Sequence, residues 1–144
     1  MTSIPDVNVL LALVFEDHGH HAHAQAWYER VAKDGEPIGL PSVVVVGFVR
    51  NATRPSPHVV ALTPAEAFIW LDQVRASLQS LTWVEHPETE AKLRALMEES
   101  GTRGNATSDA YIAALAATYD ATVVTFDRDF KRFDNVKLEL LPLS

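Results

Sequence analysis

Three aspartates carry most of the chemistry this sequence offers. Asp6 stands in SIPDVNVLLAL, among residues that otherwise belong in a core, Asp109 opens the apolar part of GNATSDAYIAALA, and Asp127 follows TVVTF directly. Taken singly, Asp109 has an ordinary explanation as a helix-start acid and Asp127 as a turn residue. Asp6 has none, because an unpaired buried carboxylate is expensive and needs a partner. Three carboxylates brought close repel one another, and their pKa values rise unless a cation joins them. Oxygen-only ligation suits a hard divalent ion, Mg²⁺ with Mn²⁺ as a frequent substitute. Such an ion activates water and stabilises charge on a phosphate during in-line displacement. Asn8, two residues past Asp6, would brace nearby backbone or a ligand carboxylate.

Whether the three can meet depends on the elements that carry them. Residues 3–6 read as a short strand, and 7–15 as an apolar helix. HHAHAQAWYERVAK has helical spacing at Ala22, Ala26, Trp27 and Val31. EPIGL reads as a second strand, and Ser42 as the N-cap of a helix over VVVVGFVRNAT. Thr63, Pro64 and Glu66 form a capping-box start for the next helix. LTWVEH reads as a strand, PETEAKLRALMEESG as a helix closed by Gly101, and TSDAYIAALAATYD as a helix. ATVVTF is a strand, DRDFKRF a turn or short helix, and VKLELL a last strand. This alternation predicts an α/β fold, a three-layer α/β/α sandwich with a mainly parallel central sheet.

In open α/β sheets, sites form beyond the carboxyl ends of the strands. From Asp109 to Tyr119 a helix descends ~15 Å, and from Thr122 to Asp127 a strand climbs back ~16 Å. Asp109 and Asp127 therefore return to one height, on the rim where Asp6 ends the first strand.

Composition sets the frame around this rim. The 144 residues suit a single domain spanning 1–144, 47% of them hydrophobic and 22% charged, with no cysteine and a formal charge of −7. Disulfides and thiolate metal sites are excluded, and a reducing, cytoplasmic setting is expected. MTSIPD lacks the basic start of a signal peptide, and no apolar run nears the ~20 residues of a membrane span. The acidic balance argues against non-specific nucleic-acid affinity over the whole surface, but leaves room for a local site where cations neutralise clustered acids. The tract of His18, His20, His21 and His23 invites a transition metal, although at a helix start such side chains spread in several directions and suit a solvated or partner-facing surface. Trp27, Phe68 and Trp70 suit a core or interface. Arg50, Arg54, Arg103 and Arg128 are either solvated charges or phosphate contacts.

PDVNVLLAL, GNATSDAYIAALA and TVVTFDRDF together resemble the signatures of PIN-domain ribonucleases, and specifically the VapC-type toxins of toxin–antitoxin pairs. The resemblance runs collinearly over essentially the whole chain. It implies a Mg²⁺-dependent endoribonuclease acting on RNA, usually homodimeric and restrained by a cognate antitoxin protein. By position it makes Asp6, Asp109 and Asp127 the catalytic, metal-binding acids, with Asn8, Asn105 and Thr125 as supporting polar residues. The family commonly has a glutamate in the helix after the second strand, where this chain has Gly47, and Asp129 is the nearest residue to compensate. Gly47 also favours an alternative, a catalytically weakened PIN module that binds RNA or a protein partner without cleavage. A phosphoryl-accepting receiver domain would likewise cluster acids at strand ends, but it would be expected to have a lysine after a late strand, and Lys137 falls within the last one.

Overall fold

The computed structural model describes residues 1–81 and 83–143. In chain order the elements are β1 (Ser3–Pro5), α1 (Val7–Val14), α2 (His21–Asp34), β2 (Ile38–Gly39), α3 (Ser42–Ala52), α4 (Pro64–Ser77) and β3 (Ser80–Leu81). They continue with α5 (Thr89–Ser100), a 3₁₀ turn (Gly104–Ala106), α6 (Thr107–Thr118), β4 (Thr122–Thr125), a second 3₁₀ turn (Arg128–Arg132) and β5 (Lys137–Leu140).

The five strands form one sheet in the order β3-β2-β1-β4-β5, and every pair is parallel. Parallel strands need crossovers, and these are almost always right-handed. From β1 to β3 the chain steps in one direction, and after β3 it jumps to the far side of β1 and steps in the other. Right-handed crossovers then place α1 to α4 on one face and α5 and α6 on the opposite face. The reversal falls between β1 and β4, the kind of crevice where open sheets bind ligands.

The strands at that crevice are the driest part of the protein. Ile4, Val123 and Val124 are fully buried, as are Leu10, Phe48, Leu71, Leu96 and Ile112 from the helices around them. Helix α6 presents Ala110, Ala113, Ala114 and Ala116 as buried residues, and small side chains let it lie close to its neighbours. Gly39 serves the same end in β2, where its α-carbon lies against the Trp83 indole.

Most boundaries agree with the sequence reading, including a helix rather than a strand for the valine run. Thr63 and Glu66 form a full capping box, with Glu66 N–H donating to Thr63 Oγ1 (3.1 Å) and Thr63 N–H to Glu66 Oε1 (2.9 Å). Gly101 closes α5 in the left-handed region at φ 70°. Two expectations need correction. Pro41, not Ser42, is the N-cap of α3; Ser42 is already helical and its side chain makes no capping bond. The extended backbone that a proline accepts puts the Pro41 carbonyl in place to take the Val44 and Val45 amides. The strand expected over LTWVEH is confined to Ser80–Leu81, Thr82 lying outside the described residues. Beyond it Trp83 turns in against Gly39 and Tyr119, and the Val84 carbonyl accepts the Tyr119 hydroxyl, so this stretch serves tertiary contacts instead of a ladder.

Candidate metal centre

Register builds the site. Ile4 pairs with Val123 and Pro5 with Val124, so one step further Asp6 stands opposite Thr125. Asp6 N–H donates to the Val124 carbonyl (2.8 Å), which holds the backbone at the strand end. The Asp6 carboxylate, 5% exposed, takes the Val7 amide on Oδ1 (2.7 Å) and the Thr125 hydroxyl on Oδ2 (2.8 Å). It is thus also the N-cap of α1.

Thr125 is fully buried, and its single hydroxyl joins three other residues. While donating to Asp6, it accepts from Asn8 Nδ2 (3.2 Å) and from the Asp127 amide (3.0 Å). Asn8 Oδ1 in turn accepts the Phe126 amide (3.3 Å). Asp127 Oδ1 caps the following 3₁₀ turn by accepting the Asp129 amide (2.8 Å). That turn is seated by Phe126, Phe130 and Phe133, all buried, so Asp127 and Asp129 project from an anchored segment.

Asp109 arrives from the first turn of α6, half-buried. Burial, followed by the charges of Asp6 and Asp127, raises its pKa to about 6; Arg132 opposes this and Asp129 adds to it. Asp6 is also raised, mainly by burial and to a lesser degree by Asp127, against the lowering hydrogen bonds from Thr125 and Val7. Asp109 therefore senses Asp6, Asp127 and Asp129, and Asp6 senses Asp127, across the β1–β4 crevice. Asn105 lies exposed in the 3₁₀ turn ahead of α6, away from the Asp6–Asn8–Thr125 hydrogen bonds.

Among the described residues, no three His, Asp or Glu side chains are gathered tightly enough to enclose an ion as they stand. The donor chemistry still fits a hard cation. A carboxylate has about four acceptor sites, and Asp6 has committed two of them. Mg²⁺ keeps several waters and uses only one or two protein carboxylates, so a closed cage is not required. Two raised carboxyl groups in one crevice are what a cation would relieve.

Gly47 is not an open vacancy for a fourth acid. It is buried in α3, and a β-carbon there would stand 2.7 Å from Val7 Cγ2, next to Asp6. Replacing Gly47 with Ala gains ~1 kcal/mol of helix propensity but overpacks at a cost of ~1–3 kcal/mol. A net loss of about 1 kcal/mol is expected by urea denaturation, with weaker Mn²⁺ binding as Val7 moves Asp6. Gly47→Glu should lose more on both counts; unchanged stability in both variants would show that Val7 yields freely.

The basic residues and the histidines sort differently from one another. Arg128 is committed to the fold, Nη1 donating to the Phe126 (2.9 Å) and Leu141 (2.7 Å) carbonyls. Arg132, which the sequence reading did not single out, is the cation that acts on Asp109. The available signal was its position three residues after Asp129, the spacing that eclipses side chains in a 3₁₀ turn. The His tract fastens the start of α2: the His20 ring stacks on Phe126 (centroids 4.7 Å, 22°), and His21 Nδ1 lies 2.8 Å from the Ala12 carbonyl.

Comparison with known proteins gives one consistent result. The PIN domain family matches residues 3–136. Ribonuclease VapC31 of Mycobacterium tuberculosis is 34% identical over 132 residues, covering 92% of this chain and 93% of that protein. Ribonuclease VapC25 of the same species is 33% identical over 132 residues, with the same coverage of 92% and 93%. Among solved structures, VapBC2 from Rickettsia felis bound to a DNA fragment from its promoter superposes with a TM-score of 0.73 over 99% of this chain and 100% of that one. At 21% identity that likeness speaks to the fold.

Proposed function

Since the chain belongs to the PIN-domain family, we propose that it is a metal-dependent endoribonuclease, the toxin of a toxin–antitoxin pair, with Asp6, Asp109 and Asp127 as its metal-binding acids. The observation that carries this reading is the gathering of acids at the β1–β4 strand ends. There Thr125 bonds both Asp6 and the Asp127 backbone, and burial first, then neighbouring acids, push the Asp6 and Asp109 carboxyls up. Mg²⁺ is the expected ion, with Mn²⁺ able to substitute. Bound there, a divalent cation would supply water activation and charge stabilisation at the scissile phosphate.

The chain's own residues supply orientation. Thr125 and the Val7 amide fix the Asp6 carboxyl and partly offset the upward pull of burial on its pKa. Asn8 ties that pair to the Phe126 backbone, and the anchored 3₁₀ turn presents Asp127. Asp129 would add an acid at the edge, and Asn105, exposed ahead of α6, would be a supporting polar residue. Purified chain free of any partner, incubated with structured RNAs, should cleave in Mg²⁺ and stop in EDTA; equal cleavage in EDTA would remove the metal from the mechanism.

The relatives' names also support a protein partner, since solved neighbours are VapBC complexes. An acidic rim on a chain of charge −7 favours a basic antitoxin segment, whose Arg could stand in for the cation. The complex should cleave poorly at low salt and recover as salt rises. A purified complex as active as the free chain would overturn this inhibition. A homodimer belongs to the same reading, and Val46, Phe68 and Ile69 give α3 and α4 exposed apolar side chains for it. No helix among the described residues is long and apolar enough to cross a membrane, and the lack of cysteine is compatible with a cytoplasmic setting.

A further inference from the structure

We propose that Arg132 is the side chain by which this site grips a phosphate of its RNA substrate, a role that rests on the metal-site reading above. Four acids around one crevice repel a phosphodiester, so a cation fixed at its edge is needed to receive one. Arg132 closes the same 3₁₀ turn that Asp127 caps and in whose first turn Asp129 stands. With three residues per 3₁₀ turn, Asp129 and Arg132 share one edge of it.

The guanidinium is positioned without being consumed. Arg132 Nε donates to the Asp129 carbonyl (3.1 Å), and Cζ lies 5.4 Å from the centroid of the buried Phe133 ring. Neither contact occupies a terminal nitrogen. Among the described residues Arg132 makes no ion pair within 4 Å, whereas Arg30, Arg75 and Arg94 each do. Arg128, four residues earlier, has a terminal nitrogen committed to two backbone carbonyls. The exposed fork of Arg132 matches the paired oxygens of a phosphate, and its charge already reaches Asp109 across the crevice.

A mere prop for the turn would behave differently, and metal and RNA read the difference in opposite directions. Binding of a single-stranded RNA oligonucleotide is measured in Mg²⁺ over a range of salt, in the non-cleaving Asp109→Asn background, with and without Arg132→Gln. Mn²⁺ binding is measured by calorimetry in the native background, without RNA. Arg132→Gln should weaken RNA binding about tenfold, as expected for a lost charged hydrogen bond, and reduce the salt slope by about 0.7, one phosphate on a single strand. Mn²⁺ should bind severalfold tighter, because a competing cation has left the acids. Arg132→Lys should restore the salt slope but only part of the affinity, since the fork is gone. Unchanged RNA affinity and slope in Arg132→Gln would overturn the proposal, as would parallel loss of Mn²⁺ and RNA binding, the mark of a prop. Native chain that takes up no Mn²⁺ removes the site reading and this role with it, and an Asp109→Asn background that binds no RNA removes this role. With both intact, a flat response to Arg132→Gln removes this role alone.

Discussion

Replacing Asp109 with Asn should lower metal-dependent RNA cleavage more than ~100-fold, beyond the range for residues that only orient a ligand, while making the metal-free protein more stable at neutral pH. The two effects have one cause. In the folded chain Asp109 titrates at about 6, above its ordinary 3.8, because burial and three neighbouring acids disfavour its charge. The native state therefore holds that proton more tightly than the unfolded chain does, and metal-free stability falls as pH rises from ~4 through ~6. The full shift corresponds to about 3 kcal/mol, but Asp109 is only half-buried, and solvent screening leaves ~1–2 kcal/mol. Asn has the same shape and no charge, so the variant should melt roughly 3–8 °C higher at pH 7, with the gap closing near pH 4. Mn²⁺ should raise the melting temperature of the native chain by mass action and leave that of the variant nearly unmoved. Retained Mg²⁺-dependent cleavage would take Asp109 out of the site. A lower melting temperature would instead make it a helix-start acid whose charge the fold requires.

Chain direction and element length made much of this architecture legible. Asp6 was conspicuous as an acid between Pro5 and Val7 and it is buried, although it also has a local reason that the sequence reading passed over, as the N-cap of α1. Asp109 and Asp127 could be brought to one rim by rise per residue alone, since one continuous helix and one strand separate them. Register was beyond such reasoning. That Thr125, rather than Thr122, meets Asp6 depends on Ile4 pairing with Val123, a cross-chain fact that no local pattern encodes. The choice between Arg128 and Arg132 is of the same kind, because Arg128 is claimed by Leu141, a residue just past the end of β5. Gly47 shows the limit in another way: the residue type signals a need for space, and only the packing reveals that Val7 fills it. At Ser42 a serine suited to capping yielded to the proline before it, whose extended backbone already ends the preceding segment.

Thr125→Val tests the register directly, and it should cost about 2–4 kcal/mol at pH 7 although the side chains have nearly the same volume. The hydroxyl is fully buried and serves Asp6, Asn8 and the Asp127 amide together. Removing it leaves a buried carboxylate oxygen without its donor, and bonds to charged groups contribute about 1.5–3 kcal/mol each. The Asn8 amide and the Asp127 N–H lose their acceptor as well, though both lie nearer solvent. The pH dependence separates these contributions. The Thr125 bond is what chiefly restrains the upward shift of Asp6 caused by burial, so its loss raises that pKa further above the unfolded value. An acid with a raised folded pKa weakens the native state when it is ionised, and the penalty fades as pH falls through the folded pKa. The gap between native and Thr125→Val should therefore be largest at pH 7–8 and shrink by pH 4, where the cost at Asn8 and Asp127 remains. Thr125→Ser, which keeps the hydroxyl, should recover most of the loss at every pH, and Mn²⁺ affinity should follow the same order. A gap independent of pH in urea titrations would mean that the Thr125 hydroxyl supports backbone alone, and Asp6 would then owe its place to the Val7 amide.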